Sequence, residues 1–535
     1  MRRLFRRNRK LFSSPLKPER MSPIIPKRDW IGMQGIDEPQ GLGSALKPRL
    51  LWFHERLDRC FDAMFHSFTA MPDNRPCVCI YLRGMVDFEM FQQYVLQPLT
   101  SPPGGGNSLT ERIFENTQLP SASYSTIFQL KESLNAVLEG NILLLIDGEE
   151  RMASFPYILV EKRPIEEAKN ETVIRGPREG FVEHLETNLS LMRRRIKSPF
   201  LKMEHYQIGS HTQTDVVISY LEGICTQQLV DEVRTRLSRI VIDGVLDTSY
   251  IEEFLEDSPS SPFPQLQYTE RPDTAAAALL EGRVVIFVDG TPNPLIAPVT
   301  LFALLQSAED YYQRFYAASW IRWIRYILMI ASLLLPSLYI AITTFHPETL
   351  PSNLLVSVAA AREAVPFPAV VEAFLMELTF EGLREAGLRI PKPIGQAVSI
   401  LGGLVIGQAA VQAGIVSAPM VIIVSLTGVA SFVIPHFDLG LTLRFLRFPI
   451  MILASTLGLF GVVCGLMLIY LHLTTLRSFG TPYLSPIAPM HTHDMSDVFI
   501  RAPWWRMRSR PYYYATDANK QRLQYVDRMK RQEED

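Results

Sequence analysis

The stretch that decides the fold is residues 448–473, FPIMILASTLGLFGVVCGLMLIYLHL, which contains no Asp, Glu, Lys or Arg. Three further apolar segments lie upstream of it, at residues 326–345, 394–413 and 415–435. A helix of about 20 apolar residues is long enough to cross the hydrocarbon core of a bilayer. The sequence therefore predicts an integral membrane protein with four spanning helices, all within residues 311–476.

The remainder of the chain has the composition of a folded, water-soluble protein. The 535 residues include 53 Lys and Arg against 55 Asp and Glu, a net charge of −2, so we expect no nucleic-acid partner. None of the five cysteines belongs to a C-x-x-C pair, which argues against a disulfide framework and a zinc ribbon. Because no Walker, G-x-S-x-G or H-E-x-x-H sequence is present, we expect no enzymatic activity, no cofactor and no metal site.

Residues 50–310 contain apolar strand runs that alternate with amphipathic helices, as in mixed α/β proteins. The two halves of this region also have similar sequences. CVCIYLRGMV at 77–86 matches DVVISYLEGIC at 215–225, and AVLEGNILLLIDG at 136–148 matches LLEGRVVIFVDG at 279–290. The sequence therefore predicts two tandem, related cytoplasmic α/β subdomains, at residues 50–165 and 206–310, followed by the α-helical polytopic membrane domain.

A helical connector, residues 166–205, is expected between the two subdomains. Its polar side chains either bind phospholipid or an acidic neighbour, or are simply solvated. The candidates are Arg175, Arg178, Asn188, Arg193, Arg194 and Arg195.

The two ends of the chain are basic. Residues 1–49 lack the apolar core of a signal peptide, so we expect the N-terminal region to remain in the cytoplasm, with this arm disordered and either solvated or lying on anionic lipid. Arg322 and Arg325 precede the first apolar segment, and the tail at 477–535 is rich in arginine. The start of the first span and the tail after the last span should therefore both lie in the cytoplasm. An even number of crossings follows.

Residues 365–387 are unusual because an apolar helix there would carry four glutamates. These are Glu372, Glu377, Glu381 and Glu385. A carboxylate in hydrocarbon costs several kcal/mol, and the last three recur every four residues on one helix face. If identical subunits surround a common axis, each of these glutamate positions would form an acidic ring that attracts cations. We expect this segment to be a re-entrant or broken helix that lines an ion path, which keeps the number of crossings at four.

Two alternatives remain open for this helix. In the first, Glu381 and Glu385 pair with Arg384 and Arg389 in an ordinary interfacial helix. In the second, the helix docks a partner protein. The apolar segment that follows carries small residues and amides that could pack helices together or form a hydrated pore wall. These are Gly402, Gly403, Gly407, Gln408 and Gln412.

Five stretches of the sequence resemble one known family. They are VIRGPREGFVEHLETNLSLMRRRIKSPFLK at 173–202, YTERPDTAAAALLEGRVVIFVDGTPNPLIAP at 268–298, SAEDYYQRF at 307–315, VPFPAVVEAFLMELTFEGLREAGLRIPKPIGQAVSILGGLVIGQAAVQAGIVSAP at 365–419 and RSFGTPYLSPIAP at 477–489. Together they resemble the A subunits of GerA-type spore germination receptors, membrane proteins of endospore-forming bacteria.

The resemblance implies a receptor in the spore inner membrane, built with a transporter-like B subunit and a lipoprotein C subunit. In such receptors a small nutrient, recognised mainly by the B subunit, releases monovalent cations. The A subunit is then implied to be the homo-oligomeric, ion-conducting element, a pentamer being one arrangement, with its N-terminal domain on the spore-core side. The alternative is a non-conducting scaffold that assembles the B and C subunits.

Overall fold

The structure is a computed structural model that describes residues 43–101, 108–115, 124–159, 168, 171, 173–389, 403, 405–507 and 509–516. Contacts divide these residues into two compact units. The first is built mainly on Ala63–Leu159, and the second contains the described residues from Phe200 onward together with Asp58–Asp62.

The first unit is organised around a five-stranded antiparallel sheet in the order β1-β2-β4-β5-β3. Its strands are β1 Ala63–Ala70, β2 Arg75–Leu82, β3 Ser125–Ile127, β4 Ile142–Ile146 and β5 Met152–Phe155. Strand β4, ILLLI, is buried at every position, as expected for an apolar run covered on both faces. The α-helices of this unit are Leu46–Arg56, Phe88–Phe91, Gln97–Thr100 and Leu130–Leu138.

The second unit begins with a sheet of the same strand order, β6-β7-β9-β10-β8. Its strands are β6 Leu201–Ile208, β7 Thr214–Leu221, β8 Gln267–Tyr268, β9 Val284–Val288 and β10 Leu295–Ala297. The fully buried β9, VVIFV, takes the place that β4 has in the first sheet. The two sheets therefore share one strand order, which agrees with the internal similarity predicted from the sequence.

Helices cover both faces of the second sheet because the side chains of β7 alternate between two cores. Val216 and Ile218 pack on the side of helices Gln227–Ser238 and Thr248–Leu255. Val217 and Leu221 pack on the side of helices Leu185–Arg195 and Pro272–Glu281. The helix that starts at Pro272 ends at Gly282, whose φ of 96° suits glycine.

A helical bundle follows. Two described helices are long and apolar enough to cross a membrane by length and composition: Phe315–Phe345 and Phe437–Thr475. Between them lie Ser352–Arg362, Ala369–Arg389, a helical stretch at 405–412 and Ala418–Phe432. Of the four expected spans, 326–345 lies inside the first long helix. Half of the span expected at 394–413 lies outside the described residues, and the one expected at 415–435 corresponds to a helix of only 15 residues.

The last long helix is not a single rod, because the chain turns at Gly458 (φ 63°, ψ −142°). A Cβ atom on Gly465 would lie 3.3 Å from both Ile450 and Leu453, so the segments before and after the turn run side by side. The two ends also reach one short stretch of the chain, residues 261–267: His436 lies 3.2 Å from Gln267 of β8, and His472 lies 2.8 Å from Ser261 in the loop before it. The expectation of one span over residues 448–473 is therefore wrong, since this stretch contains a turn between two antiparallel arms.

The tail returns to the second α/β subdomain. Ser478 Oγ donates to Gln265 O at 2.6 Å, and Leu301 N donates to Tyr483 O at 3.0 Å. The segment that enters the bundle and the tail that leaves it therefore lie on the same side, which agrees with an even number of crossings.

Candidate functional site

The glutamate-bearing helix is continuous from Ala369 to Arg389. Its 21 residues give a length of about 32 Å at 1.5 Å per residue. A re-entrant or broken helix was expected here; the described helix has no break, and the re-entrant form stays a prediction. Pro368 immediately precedes this helix, where a missing N–H does least harm, and its carbonyl accepts from Glu372 N at 3.2 Å.

Glu377 lies at the centre of the bundle and pairs with Arg447 of the last long helix. Both side chains are 2% exposed. Arg447 also donates through Nε to Ser332 O at 2.8 Å, so a single guanidinium joins three helices. Glu377 Oε1 and Arg447 Nη2 are buried without a hydrogen-bond partner. Such a pair gives little net stability compared with apolar side chains of similar volume, because both charges have lost their water.

Glu372 is fully buried at one end of the same helix. Its carboxylate lies 3.4 Å from Arg362 Nε and accepts from Ser417 N at 2.8 Å. Ser417 is the N-cap of the helix Ala418–Phe432, so the carboxylate lies at the positive end of a helix dipole.

Glu381 and Glu385 are more exposed, at 31% and 59%. Glu381 lies 2.8 Å from Arg384 and 3.4 Å from Arg444, and Glu385 lies 2.5 Å from Arg389. The alternative that Glu381 and Glu385 pair with Arg384 and Arg389 is therefore confirmed as a set of contacts.

We call these four carboxylates and their arginine partners the glutamate–arginine ladder. Its pairs, in helix order, are Glu372–Arg362, Glu377–Arg447, Glu381–Arg384/Arg444 and Glu385–Arg389. The helices Ala369–Arg389 and Phe437–Thr475 are antiparallel here, since Glu377 meets Arg447 and Glu381 meets Arg444. In this state every carboxylate of the ladder is neutralised within its own chain. The assignment of these residues to an ion path stays a prediction.

The small residues and amides of the following segment are placed only in part. A Cβ on Gly407 would contact Val421 at 3.5 Å, whereas Gly403 faces open space. Gln408 and Gln412 are exposed, and Gly402 lies outside the described residues. Both roles considered for this segment therefore stay predictions.

The connector contains two structural residues. Arg193, 1% exposed, forms a two-pronged pair with Asp62 at 2.7 and 2.8 Å. The side chain of Asn188 accepts from Val182 N and donates to Val182 O. Arg195 contacts Glu179 at 2.7 Å, Arg175 and Arg178 are exposed, and Arg194 is half-buried. Asp62 lies 131 residues from Arg193, which is why the sequence did not indicate this pair.

A second charged cluster lies at the base of the first long helix and was missed by sequence reasoning. Arg322 lies 3.2 Å from Asp310 and 3.0 Å from Asp497, while Arg325 lies 2.9 Å from Asp310. The sequence marked these arginines only as indicators of topology. Asp310, in the SAEDYY stretch, was the one local signal for this cluster, whereas Asp497 comes from the tail. In the described part of the chain, no group of three or more His, Cys, Asp or Glu is arranged to hold a metal ion.

Glu252 gives a pH-dependent prediction outside the bundle. Burial, followed by the nearby carboxylates of Asp438, Glu256 and Asp247, raises the pKa of Glu252 to about 8. A raised pKa favours the protonated folded state, so this group stabilises the fold below about pH 4.5, and the contribution is lost as the pH rises through 8. We expect Glu252→Gln to raise the free energy of unfolding by about 1 kcal/mol at pH 9 and by little at pH 5.

Thermal unfolding in detergent at the two pH values measures this effect. Glu183→Gln, at an exposed position of the same compact unit and not among the charges that act on Glu252, is the control. An equal change for Glu252→Gln at both pH values would contradict the prediction.

Known proteins are similar to this chain over most of its length. The family model described as Bacillus/Clostridium GerA spore germination protein matches residues 52–513. The chain is 48% identical over 457 residues to the uncharacterized membrane protein YfkQ of Bacillus subtilis (strain 168), covering 85% of this chain and 88% of that protein. It is 45% identical over 433 residues to spore germination protein KA of the same organism, covering 81% and 79%.

Two further proteins are similar to this chain. Spore germination protein GerLA of Bacillus cereus is 38% identical over 454 residues, covering 85% of this chain and 91% of that protein. The crystal structure of the N-terminal domain of the A subunit of the Bacillus megaterium spore germinant receptor GerK3 is 33% identical, with a TM-score of 0.38. That match covers 48% of this chain and 95% of the solved one.

Proposed function

Because this chain belongs to the GerA family of spore germination proteins, we propose that it is the A subunit of a nutrient-responsive receptor and that several copies form a gated, cation-conducting channel. The family's A subunits work with B and C subunits. We place the receptor in the spore inner membrane, with the α/β subdomains and the tail on the spore-core side, a transporter-like B subunit and a lipoprotein C subunit.

The glutamate–arginine ladder is the observation that carries the channel proposal. Charges inside a membrane domain are expensive and mark ion or proton pathways more often than they stabilise a fold. A bundle that served only as a scaffold would be no less stable if Glu377 and Arg447 were apolar, because the attraction within a buried ion pair rarely exceeds the cost of removing both charges from water. The ladder therefore favours a function that uses charge.

The pairing suggests how the channel is gated. With each of its carboxylates held by an arginine, the ladder offers cations no unpaired carboxylate in the described state, as expected for a closed channel. In the open state the arginines would move away, and the carboxylates of neighbouring subunits would form acidic rings around water. A nutrient signal from the partner subunits would act by favouring that open state.

The partly exposed end of the ladder allows a test that leaves the fold intact. We expect Glu381→Gln combined with Glu385→Gln to slow nutrient-triggered potassium release from spores by about tenfold, because two acidic sites of the path are lost. Glu363→Gln, an exposed glutamate of the bundle outside the ladder, should release potassium normally.

Co-purification of the B and C subunits must be measured in the same strains. Normal potassium release from the double variant, with the complex intact, would exclude the path through these residues and favour the scaffold. Loss of the complex in the double variant would likewise place these residues in assembly and overturn their role in conduction.

A further inference from the structure

A cavity of about 650 Å³ lies where three segments of the second compact unit meet. One wall is the helix Pro272–Glu281, the second is residues 303–312, and the third is formed by Trp504, Met507 and Arg510 of the tail. The volume is within the range of pockets that hold small organic ligands. None of its lining residues belongs to the glutamate–arginine ladder, so its role is separate from the proposed ion path.

Small side chains on facing walls create this space. Ala277, part of the run of four alanines at 275–278, is exposed on the helix wall, and Ala303 and Ala308 line the opposite wall. Tyr311 and Trp504 close one side, with ring centroids 5.9 Å apart. The middle of the cavity is therefore apolar and bordered by aromatic rings.

One end of the cavity carries charges of both signs. Arg283 lies 3.2 Å from Glu281, and its guanidinium lies 4.7 Å from the ring of Tyr514. Arg510 donates through Nε to Leu280 O at 2.8 Å, which brings a second guanidinium to the same end. At the far end, eight residues or about 12 Å along the helix, lies Asp273.

The cavity is also close to the bilayer surface. Residues 303–312 precede the long helix that starts at Phe315, and the ring of Trp505 lies 5.9 Å from that of Phe315. Trp504 and Trp505 are 56% and 54% exposed beside Arg506, a combination typical of the headgroup layer. An amphiphile in the membrane surface can therefore reach the cavity as well as a solute in water.

We propose that this cavity binds a zwitterion, in which an ammonium and an oxyanion lie close together on an apolar body. The ammonium would meet Glu281, the oxyanion would meet Arg283 and Arg510, and the apolar body would lie against Ala277 and Trp504. Two sources offer this chemistry: the headgroup of phosphatidylethanolamine and a free amino acid with an apolar side chain. The bound molecule would join the second α/β subdomain, the start of the first long helix and the tail.

Ligand retention by the full chain in nanodiscs tests the proposal without measuring ion flow. L-phenylalanine is the soluble probe, with 3-phenylpropanoate and phenethylamine as analogues that each lack one charge. Native mass spectrometry of protein from discs of phosphatidylethanolamine and phosphatidylglycerol tests the lipid source. We expect one zwitterion to be retained at least tenfold more tightly than its singly charged counterpart.

Two variants locate the binding. Ala277→Trp fills the cavity and should abolish retention, whereas Gln228→Trp, on an exposed position of another helix of the same subdomain, should not. Glu281→Gln should weaken retention about tenfold by removing the partner of the ammonium. Failure of both zwitterions to bind, or equal binding by Ala277→Trp and Gln228→Trp, would overturn the proposal. Equal binding of 3-phenylpropanoate would exclude the zwitterionic class.

Discussion

Glu377→Ala should lower the free energy of unfolding of the bundle by about 3–5 kcal/mol, the largest effect that we expect from a single side chain here. The substitution leaves Arg447 charged in a site where the guanidinium is 2% exposed. Its remaining contact, from Nε to Ser332 O, satisfies only part of the group. Thermal unfolding in nanodiscs, followed by intrinsic fluorescence and by retention of the partner subunits, measures the loss.

A double variant separates stability from function at this position. Glu377→Met with Arg447→Met removes both charges together, so it should be as stable as the natural chain or more so. If the pair serves ion conduction, this stable variant should still fail to release potassium in response to nutrient. A Glu377→Ala chain as stable as the natural one would show that the carboxylate is not buried against Arg447.

Gly458→Leu should lower the free energy of unfolding by at least about 2 kcal/mol. A φ of 63° is costly for a side chain such as leucine, and a Cβ at this position would lie 3.0 Å from Phe345 and 3.1 Å from His346. The alternative for the variant is to straighten the helix. Its 39 residues would then extend about 58 Å and carry the tail away from the loop near Ser261.

Phe460→Leu is the matched control, because it places the same side chain two residues away at a position that is 67% exposed. Melting temperatures of the two variants, and labelling of a single cysteine at position 507 by an impermeant reagent, give the comparison. Equal stability and equal labelling would mean that the chain does not turn at Gly458.

The soluble half of the fold could be predicted because its signals are local. The apolar runs of β4 and β9 are each followed by Asp-Gly, and each occupies the same position in its sheet, because the two sheets have the same strand order. The four glutamates were likewise recognised within one helix, and the pairing of Glu385 with Arg389 follows from a separation of four residues.

The rest of the site could not be predicted, because its partners are distant in sequence. Arg447 is 70 residues from Glu377, and in the sequence it reads as a charge that flanks an apolar segment. Gly458 follows Ser455 and Thr456, a weak turn signal, but it lies in a long charge-free run, and glycine is common in membrane helices, so the sequence favours one helix over a turn. Periodicity describes one element at a time, whereas both features depend on contacts between elements.

The position of the tail affects how the chain matures during synthesis. Thr516 Oγ1 donates a hydrogen bond to Gly223 O, 293 residues earlier in the chain. The backbones of Cys225 and Ala515 form an isolated antiparallel β-bridge, and the carbonyl of Tyr514 lies against Gly282. At 5–20 residues per second, a ribosome takes about 15–60 s to supply those last residues after Gly223 has emerged. During that interval this surface of the second subdomain stays uncovered, so the subdomain can complete its packing only after the whole helical bundle has been synthesised.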